Sequence, residues 1–93
     1  MKTITKSMVR KGYKRGIIRL VDMNDETVCF IGDNWFYFDL LGEDYTPEQY
    51  KTIVPEDTII QEIFSALESF RNMSEFKDEY LYYYEYLVEN GIS

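Results

Sequence analysis

Two β-prone runs joined by a tight-turn signal constrain the fold of this chain most strongly. The runs are TVCFIG (27–32) and WFYFDLL (35–41), and Asp33-Asn34 lies between them. β-branched and aromatic residues favour strands, whereas Asp and Asn favour the backbone angles of tight turns. A preceding run, GIIRLVDM (16–23), ends at Asn24-Asp25 and has the same character. Residues 16–41 therefore predict a meander of three antiparallel strands.

Alternation along the third strand distinguishes its two sides. One side carries Trp35, Tyr37 and Asp39, and the other carries Phe36, Phe38 and Leu40. We expect the phenylalanine side to face the core. Both sides of the second strand are fairly apolar, so the sheet is expected to be covered on one side or on both. Cys29 is expected to pack there as a small hydrophobic residue.

After the strands, the hydrophobic spacing changes to that of helices. TPEQ (46–49) is a capping-box pattern and predicts the start of a short helix. Pro55 begins a second helix that extends to about Asn72, and its apolar residues recur at helical spacing. These are Ile59, Ile60, Ile63, Phe64, Leu67 and Phe70. Ser74 is expected to cap the last helix, which is expected to stop at Asn90-Gly91.

The length of 93 residues suits a single domain with one modest core. We predict an α+β fold, with a three-stranded antiparallel β-meander followed by a short helix and two longer amphipathic helices packed on the sheet. The expected divisions are a basic N-terminal arm (1–15), the β-meander (16–41) and a helical part (46–90).

The last predicted helix contains a run in which five of seven positions, Tyr80 to Tyr86, are tyrosine. On a helix, one broad arc is expected to face the core, with Leu81 at its edge. The arc consists of Phe76, Tyr80, Tyr83, Tyr84, Leu87 and Val88. Tyr82 and Tyr86 fall on the opposite side, among acidic residues. A strand stays open as the alternative, since tyrosines at every second position also alternate strictly.

Tyr82 and Tyr86, together with Glu79, Glu85 and Glu89, are the predicted protein interface. Tyrosine buries a large amphipathic ring at low entropic cost, which suits a binding surface. The alternative is that both rings lie flat over neighbouring side chains of the same chain. Homodimerisation through this aromatic surface is a further option.

Charge is distributed unevenly along the chain. Residues 1–19 carry seven basic residues and no acid, and the remainder carries three basic residues against 17 acids, a net charge of −14. The basic segment is expected to fold back on the acidic body or to be solvated. The other interpretation is nucleic-acid binding through residues 2–19, in which Lys11, Lys14 and Arg15 surround the ring of Tyr13.

Most catalytic chemistry is excluded by composition. The chain has no histidine, which removes the usual triads and the common zinc ligands. With 17 acids, no catalytic carboxylate pair stands out. DMNDE (22–26) begins like a calcium loop, but Thr27 and Asp33 occupy the positions where that loop needs Gly and Glu. We therefore expect no enzyme activity, no catalytic residue, no cofactor and no metal.

The expected function is that of a small, non-catalytic binding or regulatory protein acting through protein contacts. An alternative is an acidic nucleic-acid mimic, of the kind with which phages and mobile elements inhibit nucleic-acid enzymes. The single cysteine, the absence of an apolar run of membrane-spanning length and the polar N-terminus predict a cytoplasmic protein with no membrane partner.

Overall fold

The computed structural model describes residues 2–24, 26–38 and 46–93. In chain order the elements are α1 (Lys6–Lys14), β1 (Ile18–Met23), β2 (Glu26–Ile31), β3 (Asn34–Tyr37), α2 (Pro47–Ile53), α3 (Glu56–Arg71), a 3₁₀ turn (Ser74–Phe76) and α4 (Lys77–Glu89). The α+β class predicted from the sequence is confirmed.

The three strands form one antiparallel sheet in the order β1-β2-β3, which confirms the predicted meander. Asn24 and Gly32 turn the chain between strands with positive φ angles of 53° and 67°, which asparagine and glycine tolerate best. Asp25 and the predicted end of the third strand, residues 39–41, lie outside the described residues.

One face of the sheet is covered by the helices and forms the hydrophobic core. Leu20, Cys29 and Phe36 lie side by side across the three strands on this inner face, and all three are buried. Phe36 makes edge-to-face contacts with Phe70 of α3 and Tyr83 of α4, at centroid distances of 5.1 and 5.9 Å. The phenylalanine side of the third strand is thus the core side, as predicted, and Cys29 packs as a small hydrophobic residue.

Residues 6–14, assigned to a basic arm by the sequence analysis, instead form a helix. Thr5 caps α1 with a capping box in which its hydroxyl accepts from the Met8 backbone N–H at 3.2 Å, while the Met8 sulfur accepts from the Thr5 N–H. Met8 and Val9 are buried in the main core. The basic residues form the polar side of this amphipathic helix, and the apolar residues between them form its buried side, so a charge count alone does not reveal it.

Two close contacts attach the N-terminal segment to the rest of the fold. The backbone N–H of Ile4 donates to the Tyr80 hydroxyl at 2.7 Å. Gly12 lies so close to β1 that an added Cβ would stand 2.9 Å from Cδ1 of Ile18 and 3.2 Å from Cδ2 of Leu87. α1 is therefore an integral layer of the domain.

The helical part agrees with the sequence prediction except near α4. The capping box of Thr46 and Gln49 begins α2 as expected. Ser74 does not cap α4: it starts the 3₁₀ turn, and α4 begins after Phe76 without a side-chain cap. Val88, predicted to face the core, is 41% exposed. The Ser74 prediction is wrong because the chain forms a 3₁₀ turn at that position. Val88 is exposed because it lies about 80° around the helix from Tyr80, at the margin of the buried side that Tyr80, Tyr83 and Leu87 form.

Replacing Met8 with alanine tests whether residues 6–14 belong to the core. Met8→Ala should lower the free energy of unfolding by about 2–5 kcal/mol, because it removes a buried side chain and leaves a cavity. The matched variant Ser7→Ala, at an exposed position of the same helix, should change it by less than about 0.5 kcal/mol. Urea denaturation measures both. If both variants left the free energy of unfolding nearly unchanged, the packing of α1 in the core would be contradicted.

Candidate functional site

The inner side of α4 places its tyrosines in the core with their hydroxyls satisfied. Tyr80, Tyr83 and Leu87 are buried, as the helical spacing predicted. The Tyr80 hydroxyl accepts from Ile4, and the Tyr83 hydroxyl donates to Oε1 of Glu79 at 2.6 Å. Each ring therefore contributes apolar area to the core while its polar end finds a partner, which is the usual condition for burying tyrosine.

Tyr82 and Tyr86 pack over the turn between β2 and β3. Their rings stack at a centroid distance of 6.1 Å, and the Tyr82 hydroxyl accepts from the Asp33 backbone N–H at 3.0 Å. A Cβ added to Gly32 would stand 2.6 Å from that hydroxyl oxygen and 2.8 Å from Cδ1 of Tyr86. Both rings are half-buried, so this arrangement corresponds to the alternative in which they lie over neighbouring groups of the chain.

The predicted acidic residues of α4 do not all share one surface. Glu79 is half-buried and accepts from Tyr83, whereas Glu85 and Glu89 are exposed. Glu85 also pairs with Nζ of Lys2 at 3.7 Å. Exposed pairs of this kind contribute little stability, so Glu85 stays accessible to a partner.

A shallow depression of about 280 Å³ lies on the solvent-facing side of α4. Its lining, named here the α4 surface, consists of Asp78, Leu81, Tyr82, Glu85, Tyr86 and Glu89. The structure thus brings four of the five predicted interface residues together and adds Asp78 and Leu81. Leu81 is 37% exposed, and the helical spacing had placed it at the edge of the core arc.

The four predicted nucleic-acid residues all belong to α1 or the turn after it. Lys11 and Arg15 donate to the backbone oxygens of Ser93 and Gly91, at 3.1 and 3.5 Å. Lys14 pairs with Glu56 at 3.6 Å. Tyr13 is partly buried against the core, and burial, followed by the nearby Glu56, raises the pKa of its hydroxyl.

The basic residues of α1 also meet the acidic first turn of α3. Besides the pair of Lys14 with Glu56, Arg10 pairs with Asp57 at 3.5 Å. Carboxylates at a helix N-terminus and cations near a helix C-terminus are each favourable for the helix dipole, so the pair of Lys14 with Glu56 joins complementary helix ends. The contacts correspond to the expectation that the basic segment folds back on the acidic body.

The outer face of the sheet, opposite the helices, was not named as a candidate by the sequence analysis. Cross-strand partners place Arg19, Phe30 and Trp35 in one row, Val21, Val28 and Tyr37 in the next, and Met23 and Glu26 in the third. We call these eight residues the outer sheet face. The alternation of Trp35 and Tyr37 with Phe36 and Phe38 was the signal available in the sequence.

Aromatic contacts organise the outer sheet face. Trp35 and Tyr37 meet edge to face at 5.2 Å, and the Arg19 guanidinium lies 5.3 Å from the centroid of the Phe30 ring. Trp35 is 37% and Tyr37 64% exposed. Val28 is fully buried beneath its neighbours but does not belong to the main core. The sheet therefore has a second, smaller apolar layer on this side.

Geometry limits the chemistry available to the described residues. Across residues 2–24, 26–38 and 46–93, no three His, Cys, Asp or Glu side chains cluster as a metal site would require. Burial raises the pKa of the Cys29 thiol well above its ordinary value, so this cysteine stays protonated and is inaccessible as a nucleophile. In the same part of the chain, no helix has both the length and the apolar character needed to cross a bilayer.

Comparison with known proteins found no family model, no curated protein and no solved structure that matches the chain.

The contact between Gly32 and the two stacked tyrosines predicts a difference between two glycine substitutions. Gly16 and Gly32 both have positive φ, 75° and 67°, but nothing lies within 4 Å of a Cβ at Gly16. Gly16→Ala should destabilise the protein by about 1 kcal/mol through backbone strain. Gly32→Ala should cost at least about 1 kcal/mol more, because the rings must move. Equal losses in urea denaturation would contradict the packing of Tyr82 and Tyr86.

Because two buried tyrosines have raised pKa values, we expect the protein to lose stability at alkaline pH. Burial, and then the hydrogen bond to Glu79, raises the pKa of the Tyr83 hydroxyl above its ordinary value of 10.0. Burial and then Glu62 likewise raise the pKa of Tyr50. Below that ordinary value both folded and unfolded chains are protonated. Above about pH 10 the unfolded chain loses these protons first, so the free energy of unfolding falls as pH rises.

Phenylalanine variants test the assignment of this effect. Between about pH 9 and pH 11, the fall in the free energy of unfolding should be smaller in Tyr83→Phe than in the wild-type protein, since the variant lacks the hydroxyl that titrates. Tyr37→Phe is the control, because that ring is 64% exposed. Urea denaturation at both pH values measures the effect. If the free energy of unfolding of Tyr83→Phe fell as much as that of the wild type, the prediction would be contradicted.

Proposed function

We propose that this is a small, non-catalytic binding or regulatory protein that docks a protein partner on the α4 surface. The observation that carries the proposal is the depression on α4, which is lined by one apolar side chain, two tyrosines and three carboxylates: Leu81, Tyr82, Tyr86, Asp78, Glu85 and Glu89. The partner that fits this chemistry presents apolar side chains flanked by lysine or arginine.

The anchoring of the two rings supports a binding role. Tyr82 and Tyr86 stack on each other and pack on the β2–β3 turn, so their orientation is set before any partner arrives. Preorganised side chains lose less conformational entropy on binding, and tyrosine is enriched among residues that dominate interface energetics. Val88, which is 41% exposed, adds apolar area on the same helix outside the lining of the depression.

Charge supports a basic partner. Three carboxylates border the α4 surface, and the whole chain carries a net charge of −7. A field of one sign accelerates encounter with an oppositely charged surface and disfavours acidic competitors. The partner should therefore associate more slowly as salt concentration rises.

Nucleic-acid binding through the basic segment has less support than protein binding. Lys2, Arg10 and Lys14 each lie within 3.7 Å of a carboxylate oxygen of the same chain. Tyr13, which would have to stack with a base, is partly buried. A phosphate backbone would have to displace these acids and approach a chain of net negative charge.

Affinity capture from the native host's lysate, with and without nuclease, tests the proposal. The test variant is Leu81→Ala with Glu89→Lys, which changes two exposed residues of α4 and leaves the anchored tyrosines in place. Its matched control is Ile53→Ala with Glu48→Lys on α2, where Ile53 is 54% exposed and Glu48 is exposed. The proposal expects a protein that the wild type and the control retain after nuclease treatment and that the test variant loses.

Two outcomes would contradict docking on the α4 surface. One is a partner retained equally by all three proteins, and the other is the disappearance of every partner after nuclease treatment. A captured nucleic-acid enzyme that added duplex DNA displaces from the α4 surface would favour the nucleic-acid mimic over a partner of another kind.

A further inference from the structure

We infer that the outer sheet face binds the same face of a second copy of this chain, forming a two-fold symmetric dimer. This inference is independent of the α4 surface, because the helices pack on the opposite side of the sheet. Its basis is the composition, exposure and charge arrangement of three cross-strand rows.

The composition of this face is that of a protein interface. Its side chains include tryptophan, tyrosine, phenylalanine, methionine and arginine, the residue types enriched where proteins associate. Trp35 and Tyr37 expose 37% and 64% of their surface. They adjoin Val28, which is already fully buried, so a partner would extend an existing apolar layer.

The charges of the outer sheet face are self-complementary. Arg19 lies in the first row and Glu26 in the last, at opposite ends of the face, and both are exposed. A two-fold axis between two such faces, perpendicular to the strands, places the first row of one copy over the last row of the other. Arg19 of each copy then approaches Glu26 of the second copy, and the middle rows meet each other.

The same charges favour a second copy over other occupants. The eight described residues of the face include one cation and one anion, whereas the whole chain carries a net charge of −7. Two copies therefore repel each other less through this face than through their acidic surfaces. Single-stranded nucleic acid could stack on Trp35 and Tyr37, but affinity for phosphates grows with the number of cations, and Arg19 is the only cation among the residues of this face.

Sedimentation velocity on the full chain, over about 1 μM to 1 mM, provides the test. The wild type should shift with concentration to a species of twice 11.2 kDa. Arg19→Glu alone and Glu26→Arg alone should each weaken dimerisation by at least about tenfold, since both place like charges together. The double variant carrying both substitutions should restore it. Glu48→Arg, which reverses an exposed charge on α2, should leave dimerisation unchanged.

Trp35 provides a second readout, because it is the only tryptophan of the chain and lies on this face. Its emission should shift to shorter wavelength over the same concentration range in the wild type and in the double variant, but not in either single variant. Circular dichroism establishes that each variant is folded.

Three results would overturn the inference. The first is a wild-type protein that stays monomeric throughout the concentration range. The second is a dimer that neither single variant weakens, and the third is a double variant in which dimerisation is not restored. Quenching of Trp35 by a single-stranded oligothymidine probe at physiological salt, in a protein that stays monomeric, would assign the face to nucleic acid instead.

Discussion

The rest of the structure depends on the burial of one face of a three-stranded sheet under four helices. Phe36 is central to this packing, because it contacts α3 through Phe70 and α4 through Tyr83. A small domain buries a smaller share of its surface than a large one, so each aromatic ring contributes much of the available apolar area. Within the described part of the chain the sheet has three strands, and the helices share its one inner face.

Tyrosine hydroxyls connect α4 to distant parts of the chain. Tyr80 accepts from Ile4 near the N-terminus, and Tyr82 accepts from Asp33 in the β2–β3 turn. Tyr83 donates to Glu79 on α4 itself. The run of tyrosines therefore serves the fold, and Tyr82 and Tyr86 leave only part of their surface for the proposed docking site. The 13 residues of α4 thus provide both a buried side that packs in the core and an exposed acidic side.

Sequence reasoning recovered the elements whose signals are local. The strands of the meander, the capping box of Thr46 and the apolar spacing of α3 depend on neighbouring residues, and the structure contains all three. α1 was not predicted, although its four basic residues, Lys6, Arg10, Lys11 and Lys14, alternate with a buried apolar side as in any amphipathic helix. Of the candidate site, sequence reasoning identified four of the six residues lining the depression, because helical spacing alone separates Tyr82 and Tyr86 from the buried side of α4.

The sequence by itself determined the fold class, the meander and the inner side of β3, because alternation and helical periodicity depend only on residue order. Only the tertiary structure decided that the N-terminal segment packs against α4 through Ile4 and Gly12, and that Tyr82 and Tyr86 pack on Gly32. These features arise from contacts between residues more than 40 positions apart or from the exact rotation of a helix on the sheet. Local propensities carry no information about either, since they are set by which surfaces fit together when the whole chain packs.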